Sequence, residues 1–178
     1  MQVVQLQTPI NDDVIKGLAI GDQIEISGKI FCGRDAVLPK IVDLIQADTL
    51  NAIDVSLKGA VIFHTAVSPA GIGPTTSNKV EIESSIPMLS KAGVKLHLGK
   101  GAVSVDTVLA LHEYNSAFAV TPPTSALFTD KMISKKVAAF PEEGMEALYE
   151  IEIKGFPAII ASVNGNTIFS HELERKLL

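Results

Sequence analysis

Short apolar runs, too brief for helices, constrain this chain more than any other feature. Ala60-Val61-Ile62-Phe63 is one, Ala117 to Val120 is another, and Val94, Leu96 and Leu98 alternate ahead of Gly99. Runs this short, rich in β-branched residues, suit buried strands better than helices. Between them apolar residues recur at helical spacing. Ile82, Ile86 and Leu89 precede Gly93, and Val105, Val108, Leu109 and His112 follow Ser104, which can cap a helix. Such strand–helix alternation predicts an α/β layered domain. The first half reads differently. Val3, Val4 and Leu6 form a strand closed by Thr8-Pro9, and Asn11 or Asp12 can cap a short helix. Ile24 and Ile26 alternate with Gln23, Glu25 and Ser27, Gly28 punctuates, and Lys29 to Cys32 continues as strand. Val37, Ile41, Leu44 and Ile45 predict a helix with Pro39 near its start.

Towards the C-terminus Val137 to Phe140, Tyr149 to Ile153 and Ala158 to Val163 read as three separate strands, and Asn164-Gly165 as a tight turn. Thr124 can cap a further helix. Thr65 to Asn78 is rich in Gly, Pro, Thr and Ser and reads as a long loop. The expectation is a single β/β/α layered domain over residues 1–178, without repeat or linker.

Charge and cysteine usage exclude several functions. The chain has 178 residues, with 15 Lys and Arg against 20 Asp and Glu, a formal charge of −5. Non-specific nucleic-acid binding needs cations for phosphates, so this balance argues against it. No apolar run approaches the roughly 20 residues of a membrane helix, and the N-terminus lacks a signal-peptide pattern, so a cytoplasmic protein is expected. One cysteine, Cys32, forms no internal disulfide and holds no metal cluster alone. In an apolar strand it reads as a small buried hydrophobe.

Chemistry concentrates in three glycine-bearing segments. Ala70-Gly71-Ile72-Gly73-Pro74-Thr75-Thr76-Ser77-Asn78-Lys79 joins an apolar strand to a helix. Glycine lets the backbone approach a ligand, and hydroxyls beside unpaired helix N–H groups favour a carboxylate or phosphate. A capped helix after a long loop accounts equally well for the same residues. The spacing fits neither a dinucleotide nor a nucleoside-triphosphate loop. Gly99-Lys100-Gly101 follows a strand, where a lysine can point into a ligand crevice or simply sit in an exposed turn. Gly33-Arg34-Asp35 is similar: Arg34 can clamp a carboxylate through two parallel hydrogen bonds, and Asp35 reads as a helix-start residue. No two of His64, His97, His112 and His171 share a metal-ligand spacing. His97 and His112 read as structural, and His64, beside the Gly/Thr segment, is a candidate for lining a site.

In this order the segments resemble the β subunit of the class I, iron–sulfur-dependent fumarase and tartrate dehydratase family, which is the C-terminal domain in single-chain members. Gly21-Asp22 through Ile26-Ser27-Gly28, Gly33-Arg34-Asp35-Ala36, Gly73-Pro74-Thr75-Thr76-Ser77, Gly99-Lys100-Gly101, Glu143-Gly144-Met145-Glu146-Ala147, Gly155-Phe156-Pro157-Ala158 and Asn164-Gly165-Asn166 carry the likeness. The resemblance implies a swivelling β/β/α domain and a partner α subunit with a [4Fe–4S] cluster on three cysteines. It implies reversible hydration of fumarate to malate, or dehydration of tartrate, with a four-carbon dicarboxylate as substrate. It assigns Thr75 and Lys100 to proton transfer, and Arg34, Thr75, Thr76, Lys79 and Lys100 to substrate binding. This chain itself would bind no cofactor or metal.

The chain also departs from the family's pattern. Lys79 stands where Arg is usual, Leu38 where His is usual, Thr65-Ala66 where Gly-Pro is usual, and Pro122-Pro123 falls in a segment usually rich in glycine. Lysine keeps the charge but loses the planar two-point grip on a carboxylate. These departures support a second expectation, a diverged non-catalytic anion-binding protein or scaffold homo-oligomer of the same fold.

Overall fold

The computed structural model describes residues 2–75, 79–123 and 125–170. Strand β1 (Val4–Gln7) leads through helix α1 (Asp12–Lys16) to β2 (Gln23–Cys32), which lies parallel to it. Asn11 is the cap of α1, its side chain accepting from the Val14 N–H. Helix α2 (Leu38–Gln46) carries Pro39 in its first turn. Strand β3 (Val61–Phe63) runs into a hairpin of β4 (Thr65–Ser68) and β5 (Gly71–Thr75), followed by helix α3 (Lys79–Lys91). Next come β6 (Leu96–Gly99), α4 (Val105–Glu113), β7 (Ala117–Val120), α5 (Ser125–Lys131) and β8 (Met132–Ala139). A 3-10 strap, Pro141–Glu146, then leads to the long β9 (Leu148–Val163) and to β10 (Asn166–Thr167). Ser104 caps α4 as expected, accepting from the Thr107 N–H. Asn164 and Gly165 both have positive φ, 51° and 79°, the tight hairpin turn their sequence calls for.

β2, β3, β6 and β7 are parallel neighbours. β9 is antiparallel to β7 and, along Tyr149–Ile159, to β2. The sheet therefore closes on itself as β2-β3-β6-β7-β9. Alternation along β2 turns Ile24, Ile26, Ile30 and Cys32 inward, with a bulge between Ile26 and Gly28. Val61 and Phe63 of β3, with Leu96 and Leu98 of β6, join them. The centre is aromatic: Phe63 meets Phe128 and Phe156 edge-on at 5.4 Å each, and Phe128 stacks on Phe156 at 4.9 Å. Outside the ring Phe31, Ile62 and Val94 pack with α2 and α3, and Phe118 and Ala161 with α4. No described helix is long and apolar enough to cross a membrane.

Three local expectations are corrected. Thr65 to Thr75 is a β-hairpin rather than a loop. Tyr149 to Val163 is one strand, because Gly155-Phe156-Pro157 stays extended against Ile26 and Glu25 of β2. Asp35 precedes the helix rather than starting it, since α2 begins at Leu38 with Val37 as its cap.

The aromatic centre should dominate stability. Phe156→Ala should cost about 3–5 kcal/mol, the usual range for emptying a buried aromatic position. Urea titration checks it, and a loss below about 1 kcal/mol would refute this account of the core.

Candidate functional site

Because β2, β3, β6 and β7 are parallel, the loops after their carboxyl ends share one edge of the ring. Such edges collect ligand-binding loops in open α/β sheets. Arg34 follows β2, and its neighbour Gly33 donates a backbone hydrogen bond to Phe63 O at the end of β3. His64 and Thr65 follow β3, and Thr75, paired with Thr65 across the hairpin, returns to the same place. Lys100 follows β6. Arg34, Thr75 and Lys100 are thus brought to one edge from separate parts of the sequence. Thr76 lies outside the described residues, as does the side chain of Lys79, whose backbone opens α3.

Each of the three is fixed locally. Thr65 Oγ1 donates to Gly73 O at 2.7 Å, and the Ile72 N–H donates to Thr129 Oγ1 of α5 at 3.3 Å, so the hairpin is tied internally and to α5. Thr75 is half-buried. Lys100 is exposed between two glycines that its loop requires. A Cβ at Gly99 would lie 3.1 Å from the Phe118 ring, and Gly101 has φ +73°. A cavity of about 20 Å³, room for one water, lies between Lys100, Gly99, Phe118 and the Ile82–Glu83 turn of α3. Glu83 accepts from Ser104 N–H at 2.9 Å and Thr107 Oγ1 at 2.8 Å, tying α3 to the start of α4.

Arg34 is already engaged. Its Nε donates to both carboxylate oxygens of Glu146 at 2.8 Å, and Nη2 donates to Oε1. The Glu146 hydrogen bond, then its charge, hold the guanidinium even more firmly protonated than usual. The two-bond clamp expected of Arg34 therefore exists, with a carboxylate of the protein itself. Sequence reasoning missed Glu146, and no local signal links positions 112 residues apart. Asp35 Oδ1 is buried with no hydrogen-bond partner among the described residues.

Beneath this edge lies a second feature that spacing did not reveal. His64 Nε2 meets His97 Nδ1 at 3.1 Å, and His97 Nε2 meets Ser90 Oγ of α3 at 2.9 Å. Both rings are fully buried, and His64 Nδ1 has no hydrogen-bond partner among the described residues. Burial pushes His64 down to about 3, and burial plus its neighbour drives His97 well below the usual histidine value. Both rings are neutral at pH 7, so they link β3, β6 and α3 without buried charge.

A larger groove of about 410 Å³ runs along Val120, Thr121, Pro122, Ile159 and Glu25. It is mostly apolar and contains no cation to receive an anion, so the charged edge is the better candidate. The residues present do not fit an iron–sulfur cluster. Cys32 is the only cysteine and points inside the ring, where burial raises its thiol far above neutrality. Among the described residues no group of three or more His, Cys, Asp or Glu is placed to hold a metal ion.

The family model for the fumarase C-terminus matches residues 1–172, a range that includes the segments that build the edge. The chain belongs to the fumarase C-terminus family. It is 28% identical over 168 residues to an Escherichia coli (strain K12) protein named class I anaerobic fumarate hydratase, covering 88% of this chain and 30% of that one. It is 28% identical over 183 residues to Leishmania major fumarate hydratase 2, covering 96% of this chain and 32% of that one. It therefore spans less than a third of either enzyme. Against the L(+)-tartrate dehydratase subunit beta of Escherichia coli (strain K12) it is 25% identical over 178 residues, covering 93% of this chain and 86% of the subunit.

The neutral histidine pair should make stability fall on acidification. An unfolded histidine takes up a proton near pH 6.5, whereas folded His64 resists until about 3. The unfolded state therefore binds more protons between these values. Stability is complete above about pH 6.5 and falls as pH drops towards 3, by at most about 1.4 kcal/mol per pH unit per histidine. NMR titration should find both rings neutral at pH 5. A ring that titrates near 6.5 in the folded protein would contradict this.

Proposed function

We propose that this chain is the β-type part of a two-part hydro-lyase that reversibly hydrates fumarate to malate or dehydrates tartrate. In this reading residues 1–178 form one swivelling β/β/α domain, working in the cytoplasm against an α subunit that carries a [4Fe–4S] cluster. The cluster would supply Lewis-acid chemistry at the substrate hydroxyl. What carries the reading is the shared edge: Gly33-Arg34, Gly73-Pro74-Thr75 and Gly99-Lys100-Gly101 arrive there from three separate segments, in a chain of the fumarase C-terminus family.

Dehydration removes hydroxide from one carbon and a proton from its neighbour. This chain would act on the proton. Thr75 Oγ1 would take it from carbon as the alkoxide, its own hydroxyl proton having first passed to solvent, and as the hydroxyl would return it during hydration. A threonine hydroxyl is a poor base unaided, and the Lys100 cation, on another loop of the same edge, would lower the cost of the oxyanion. Arg34, Thr76 and Lys79 would hold the far carboxylate, Lys79 as a point charge rather than a fork. One observation favours the second reading, a non-catalytic anion-binding or scaffold protein: the Arg34 fork already holds Glu146.

Anaerobic co-expression with a companion carrying three cluster-binding cysteines, then assay on fumarate, malate and both tartrates, separates the two readings. The chain alone should be colourless and inactive, and a brown, active preparation of it would sink the subunit assignment. In the active complex Thr75→Ala and Lys100→Ala should each lower kcat by about 10²–10⁴-fold, with assembly unchanged by gel filtration. Lys79→Arg should lower KM for the dicarboxylate. If Lys79→Ala leaves both constants unchanged, Lys79 is a solvated helix residue.

A further inference from the structure

Arg34 is one of only two arginines in the chain, and the other, Arg175, lies outside the described residues. The remaining 13 cations are lysine. An arginine offers what a lysine does not: a planar group with five N–H donors on distinct edges. Glu146 covers one edge, taking Nε and Nη2. The end edge, formed by Nη1 and the outer N–H of Nη2, donates no hydrogen bond among the described residues. Both side chains are about 30% exposed, so the pair lies within reach of solvent.

Glu146 is itself held. It ends the strap Pro141–Glu146, where Glu142 and Glu143 both pair with Lys40 of α2. The Lys40 ammonium also lies 5.3 Å from the centre of the Phe140 ring, just before the strap. The strap packs against β4, the strand beside Thr75. The carboxylate on Arg34 is therefore anchored to both α2 and the hairpin.

We propose that Glu146 is a positioning residue for Arg34: it grips the Nε–Nη2 edge so that the free end edge receives the far carboxylate of the substrate. This rests on the reading of Arg34 as a carboxylate clamp. A guanidinium held in place loses less side-chain freedom when a ligand arrives, so its directional bonds are better used. The pair attracts an anion less at long range than a bare cation, and gains a fixed direction instead. A latch would behave oppositely, with Glu146 leaving as the substrate enters.

The test uses the assembled complex with ¹⁵N-arginine in this chain alone, titrated with succinate, a four-carbon dicarboxylate that cannot react. The Nε–H resonance of Arg34 should keep its hydrogen-bonded position at saturation while its Nη resonances shift. Glu146→Gln should raise the Kd for succinate and the KM for substrate by about tenfold or more, with kcat within about threefold. On an Arg34→Ala background the same change should add nothing. An Nε–H resonance that leaves its bonded position, no response at Arg34, or equal or tighter binding by Glu146→Gln would overturn the proposal. Should Glu146→Gln fail to assemble, the wild-type titration decides alone. A complex with the expected Arg34 signals but no turnover retains the positioning role and loses the hydro-lyase reading; turnover without those signals does the reverse.

Discussion

The antiparallel pairing of β9 with β2 is the contact on which the remaining architecture depends. β1, β2, β3, β6 and β7 alone would make an open parallel sheet with an apolar face exposed. β9 returns along β2 from Tyr149 to Ile159 and also reaches β7, closing the ring around Phe63, Phe128 and Phe156. Closure fixes the parallel strands relative to one another. Three short loops can then bring Arg34, Thr75 and Lys100 to one edge with little freedom of their own.

Polar groups near that edge follow two rules. Where two opposite charges meet they are partly exposed, as at Arg34–Glu146 and Lys40–Glu143. Where a titratable group is fully buried it is neutral, as at His64, His97 and Cys32. An isolated buried charge would cost several kcal/mol, on the order of the whole stability of a domain. The histidine pair thus supplies hydrogen bonds between the sheet and α3 without that cost.

Much of this was legible in the sequence because the signals were local. Ser104 and Asn11 cap their helices, Asn164-Gly165 turns its hairpin, Pro39 opens α2, and alternation along Ile24 and Ile26 gives the inward face of β2. The hairpin Thr65–Thr75 was not legible. Gly71, Gly73 and Pro74 look like loop residues, and the pairing of Thr65 with Thr75 depends on support from α5. The unity of β9 was hidden by Gly155 and Pro157, which read as breakers until β2 supplies a partner. At the site, the glycine-flanked Arg34 and Lys100 and the Gly-Pro-Thr segment stood out by pattern. Glu146 did not, and although His64 was a candidate for lining a site and His97 read as structural, their pairing was hidden because each gains its meaning from a residue far away in sequence.

The inward face of β2 has a chemical consequence for the whole molecule. Cys32 is the only thiol, and the closed ring seals it from solvent while burial suppresses its thiolate. Thiol–disulfide exchange and oxidation to sulfenic acid both proceed through an accessible thiolate. The thiol of the folded chain is therefore redox-silent. It can neither trap the cysteines of a neighbouring protein in a mixed disulfide nor take up oxidant, and only unfolding exposes it.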